Sequence, residues 1–153
     1  MTKTGSSTLL LSLGDRESRV RLTGEDGVSR EFVLALGLDA MTPGPFRRDP
    51  PTPLELEQAI MVVEDVLIPL AAHVPPHPLV ELHSPVPLAE GLGSHELSRE
   101  SIERLFGQLV AMVEGDPLAS AQLPRDRRFA AALLILREWM HHLDAGSVAL
   151  VDQ

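Results

Sequence analysis

Two stretches of this chain are too apolar to be helices with a single buried stripe. Residues 53–70 carry eleven apolar side chains in eighteen: Leu54, Leu56, Ala59, Ile60, Met61, Val62, Val63, Val66, Leu67, Ile68 and Leu70. Residues 127–144 again carry eleven: Phe129, Ala130, Ala131, Ala132, Leu133, Leu134, Ile135, Leu136, Trp139, Met140 and Leu143. A helix packed by one face needs roughly seven to nine of eighteen. Each stretch therefore expects cover on two sides. A body of three helices and a small sheet has little material for that, so we assign the second side to another copy of the chain, a homodimer. Cover by the chain's own strands and proline-rich loop is the competing reading.

Punctuation along the chain divides it into three segments. Residues 1–40 read as a β-meander arm. Thr8–Leu13 is an apolar run, residues 18–23 alternate Val20 and Leu22 with Arg19 and Arg21, and Asp26-Gly27 turns the chain into a third run, Val28–Leu36. Residues 41–53 hold five prolines in thirteen and form a semi-rigid connector. Residues 54–153 make an acidic helical body, and one compact domain overall is expected. Thr52-Pro53-Leu54-Glu55 is a capping box, and the helix it opens should yield near Ile68, before Pro69, or resume with a kink. A second proline-rich stretch over 74–94 contains Leu79–His83, a short edge strand. Ser98 caps a helix over 99–114, in which Gly107 lets another backbone approach. Asp126 caps the last helix, over 127–144, Gly146 stops it, and residues 147–152 form a short strand or fray. The fold class is α+β: an N-terminal three-stranded antiparallel meander followed by a three-helix body with a long proline-rich loop.

The length of 153 residues is enough to bury a core without disulfides, and there is no cysteine to make them. Net charge is −9. Residues 1–50 balance seven bases with seven acids, so residues 51–153 supply the whole excess. A field of that sign repels phosphate backbones and anionic headgroups, so neither nucleic acid nor a membrane is an expected partner. The longest apolar run, Phe129–Leu136, is far short of the roughly eighteen residues that cross a bilayer. Localisation in a bacterial cytoplasm is expected.

Chemistry-bearing residues gather in four places. Glu138 lies three and four residues before His141 and His142, which puts it beside both on a helix. One Glu-x-x-His pair is half of a di-iron carboxylate set, with Glu57 or Glu64 able to add a ligand, but the second pair is absent and no metal or other cofactor is assigned. Polar residues on a last helical turn explain the same pattern. Glu64 and Asp65 interrupt an apolar run, either as an acid–base pair, as a solvated stripe shared with Glu57, or as a buried pair with Arg137. Arg125, Arg127 and Arg128 surround the positive end of the last helix, where a phosphate, a carboxylate or a neighbour's acidic face would offset them. His73, His77, His83 and His95 sit in or near the second proline-rich stretch, where prolines break any ligand spacing. There is no Gly-x-Ser-x-Gly, no P-loop and no His-Glu-x-x-His.

These features lead us to expect a soluble, non-catalytic protein that self-associates through its apolar helices and docks a further protein partner. The competing reading is a small enzyme or anionic-ligand or metal-binding protein, with a pocket at the subunit junction lined by Glu64, Asp65, Arg137, Glu138 and His141.

Overall fold

Strict alternation builds the first half of the sheet. Thr8–Ser12 (β1) buries Leu9 and Leu11, while Ser18–Thr23 (β2) buries Val20 and Leu22 and exposes Arg19 and Arg21. A period of two sends every second side chain to one face. The Asp26 carboxylate accepts from the Val28 amide at 3.0 Å and Gly27 takes φ 80°, which turns the chain into Ser29–Leu34 (β3). The computed structural model describes residues 7–39, 48, 51–86, 96–123 and 126–151. Most of the expected connector, residues 41–47 and 49–50, lies outside the described residues, as do residue 40 and residues 87–95 with His95.

The three strands pair antiparallel, yet they are half of a larger sheet and not an arm. The free edge of β1 pairs in parallel with Leu79–His83 (β4), β4 pairs in parallel with Ser147–Leu150 (β6), and Glu96–Ser98 (β5) closes the edge antiparallel to β6. The order is β3-β2-β1-β4-β6-β5. The expected edge strand at 79–83 is thus a central one. Its flanking prolines look like edge protection, but Val80 and Leu82 are buried and its partners come from distant parts of the chain.

Local capping opens each helix where the sequence marks it. In α1 (Pro53–Ala71) the Thr52 hydroxyl accepts from the Glu55 amide and the Glu55 carboxylate accepts from the Thr52 amide. Pro69 does not end α1: it falls in the last turn, and only Leu70 and Ala71 follow it within the helix. Arg99–Val113 (α2) is capped by Ser98, and nothing approaches Gly107 within 4 Å of where a Cβ would lie, so that glycine makes no close contact. Pro117–Gln122 (α3) is a short helix, capped by Asp116, that makes four among the described residues where three were expected. Arg127–His142 (α4) is capped by Asp126, and Asp144 at φ 54° turns the chain out of it before Gly146 is reached.

The helix α4 lies between α1 and α2 over the buried face of the sheet. Its residues 130–136 are 0% exposed. An all-apolar circumference is therefore hidden within one chain: sheet beneath, a helix on each flank. The inference that α4 needs a second copy is corrected by this packing. The α1 helix keeps Leu54, Met61 and Ile68, seven residues apart, on its outer side, 61, 63 and 57% exposed. Among the described residues no helix is long and apolar enough to cross a membrane.

Candidate functional site

Strands β1, β4 and β6 run in one direction, so their carboxyl ends share an edge. After β1 the chain moves outward through β2 and β3, then returns by α1 to β4 on the opposite side of β1. That reversal makes the β1/β4 boundary a topological switch point, where open α/β sheets form their ligand crevices. Backbone bonds brace it. The Leu13 amide donates to the His83 carbonyl at 2.9 Å, and the amides of Leu38 and Asp39 donate to the carbonyls of Gly14 and Asp15, both at 2.9 Å. The buried Ser18 hydroxyl donates to the Leu36 carbonyl at 2.8 Å. Gly37 packs directly on this turn: a Cβ there would stand 2.4 Å from the Asp15 carbonyl oxygen. Gly37→Ala is accordingly expected to lower stability by about 1–3 kcal/mol, read as a lower urea midpoint. An unchanged midpoint would contradict the close approach.

The amino end of α4 points at the same edge. Arg128, in its first turn, bridges two carboxylates: Nη2 donates to Asp15 at 3.0 Å and Nη1 to Asp39. The hydrogen bond to Asp39 outweighs the cost of burial and, with Asp15, holds the guanidinium above its ordinary pKa. The charge is thus retained at any pH where the fold is handled. Of the three arginines expected at this helix end, Arg128 is tied to the edge. Arg127 is exposed, and Arg125 lies outside the described residues.

A second cluster forms at the other end of α4, along its seam with α1. Glu138, 1% exposed, directs Oε2 to Arg137, which also donates from Nε to Glu103 of α2 at 3.2 Å. Burial alone would lower the Arg137 pKa, but the hydrogen bond and charge of Glu138, with Glu103 behind them, leave it raised. The guanidinium also stacks over the Phe106 ring, 4.8 Å from its centroid. On the α1 side, His142 Nε2 stands 3.4 Å from Glu138 Oε1 and 3.4 Å from Glu64 Oε2.

The structure therefore splits the expected site between two ends of one helix. Glu64, Arg137 and Glu138 come together as expected. Asp65 is exposed and His141 turns outward, with Nδ1 3.1 Å from Arg99 Nη2. His142 occupies the position assigned to His141. Spacing put both histidines near Glu138, and only the placement of α1 selects between them. His73 packs against Phe32, and His77 lies 3.5 Å from Asp144.

No protein-family model matches this sequence, and no curated protein does. Solved structures match in fold. The chain is similar to the PPX-GPPA enzyme of Aquifex aeolicus, with a TM-score of 0.70 and 13% identity over 96% of this chain and 54% of that one. It is similar to the type II variant of the Aquifex aeolicus Ppx/GppA phosphatase, with a TM-score of 0.69 and 15% identity over 96% and 53%. An exopolyphosphatase from Cytophaga hutchinsonii gives a TM-score of 0.66 and 15% identity over 96% and 53%. The chain thus spans about half the length of these structures. The likeness overturns the reading of a non-catalytic protein-interaction module. The fold is one that phosphatases share, and the apolar girth of α4 on which that reading leaned is covered internally.

Proposed function

We propose that the chain is a phosphatase-type lobe that holds a phosphoanhydride ligand, with Mg²⁺, at the carboxyl edge of β1 and β4. The observation that carries this reading is the cluster of Arg128, Asp15 and Asp39 at the switch point. One guanidinium between two carboxylates is a donor set suited to a metal phosphate. Carboxylates take a hydrated Mg²⁺ through one or two oxygens, and a guanidinium takes phosphate oxygens in its planar fork. Without ligand, the one guanidinium leaves a single negative charge uncancelled, which a cation would answer. The phosphatase and the exopolyphosphatase that share the fold supply the ligand class. The amino end of α4 adds its dipole to the attraction for anionic oxygens. The same surroundings support the anionic-ligand reading of Arg128 made from sequence.

Tripolyphosphate with Mg²⁺ tests the proposal. At about 100 times its dissociation constant the ligand stabilises the fold by about 2.7 kcal/mol, a rise of roughly 5–10 °C in the unfolding midpoint. The Arg128→Ala variant is expected to lose that rise. A midpoint unmoved by tripolyphosphate, pyrophosphate or orthophosphate with Mg²⁺, or a rise that survives in Arg128→Ala, would overturn it.

A further inference from the structure

The geometry points to a second ligand site, independent of the phosphate reading: a divalent transition-metal site, Zn²⁺ foremost, held by Glu64, Glu138 and His142 between α1 and α4. One ligand atom from each residue lies within 4.8 Å of the other two. His142 Nε2 stands 3.4 Å from a carboxylate oxygen on each side, yet among the described residues this buried nitrogen makes no hydrogen bond. For a tetrahedral ion with bonds of about 2.0–2.1 Å, neighbouring ligand atoms sit about 3.3–3.4 Å apart. Two of the three separations between ligand atoms, those from Nε2, thus match the edge length of a tetrahedral coordination shell.

The surroundings are arranged as metal sites require. Glu138 divides its oxygens, Oε2 to Arg137 and Oε1 toward His142. Arg137 is fixed in turn by Glu103 of α2. A ligating carboxylate oriented by a second charged group, itself oriented by a third, resists reorganisation when the ion binds. Three carboxylates against one guanidinium leave two negative charges when His142 is neutral, which a divalent cation cancels. Glu64 and His142 are 39 and 19% exposed, so an ion can enter and a water can complete the shell. One imidazole and two carboxylates suit Zn²⁺ and its first-row neighbours better than Mg²⁺. About 15 Å of helix separates Glu138 from Arg128, so the two sites do not share groups. A bound ion would clasp α1 to α4.

The test is a titration of the chelator-stripped protein with Zn²⁺, and with Co²⁺ as a spectroscopic probe. The expected result is one tightly held Zn²⁺ per chain, the visible absorption of tetrahedral Co²⁺, and an unfolding midpoint raised by about 5–10 °C at about 100 times the dissociation constant. Glu64→Gln and His142→Asn, each confirmed folded by circular dichroism, should weaken Zn²⁺ binding at least 10-fold, while His141→Asn should leave it unchanged. Retention of no stoichiometric ion, or retention unaffected by both ligand substitutions, would overturn the assignment.

Discussion

Trp139→Ala is expected to cost about 4 kcal/mol, a large share of the total stability of a domain, about 5–15 kcal/mol. Trp139 is 0% exposed on α4. Its removal loses the transfer free energy of the largest side chain in the core and leaves a cavity that helices on both flanks cannot collapse into. Among the described residues its buried indole N–H has no hydrogen-bond partner. Trp139→Phe should therefore recover most of the loss, because no polar contact goes with the nitrogen and only part of the volume does. Urea denaturation of the three proteins gives the comparison. A Trp139→Ala cost under about 1 kcal/mol would mean α4 is not the enclosed helix described here.

Glu138→Ala is expected to cost about 2–3 kcal/mol in metal-free buffer. The carboxylate is buried and paired, and removing it leaves Arg137 partly desolvated with only Glu103 to answer its charge. The pair as a whole is worth much less than this figure, since desolvation of both ions offsets their attraction. The double variant Arg137→Met with Glu138→Leu should accordingly regain much of what Glu138→Ala loses. A double variant no more stable than Glu138→Ala would contradict this account of the pair.

How much of this was legible beforehand follows from how local each signal is. The caps at Thr52, Ser98 and Asp126 lie within four residues of the groups they satisfy, and sequence places them correctly. The alternation of Val20 and Leu22 is equally local, as is the turn at Asp26-Gly27. Pairing between distant strands is not, so β4 looks like an edge strand although β1 and β6 hold it on both sides. Periodicity revealed that α4 is apolar all round, but not what covers it. The cover proved to be α1, α2 and the sheet, which removes the need for a second copy around that helix. At the seam, sequence named Glu64, Arg137 and Glu138, and could not separate His141 from His142. A difference of one helical position decides which ring faces α1. Arg128 was visible as a charge at a helix amino end, while its partners Asp15 and Asp39 are more than eighty residues away and no local pattern announces them.

The most direct test of the central claim is amide chemical-shift mapping of the isotopically labelled chain, titrated with tripolyphosphate and Mg²⁺. The phosphate-lobe account predicts saturable shifts at the β1–β2 turn, residues 13–17, at Asp39, at His83 and Ser84, and at the first turn of α4 with Arg128. Shifts confined to other surfaces, or a spectrum that does not change, would contradict it.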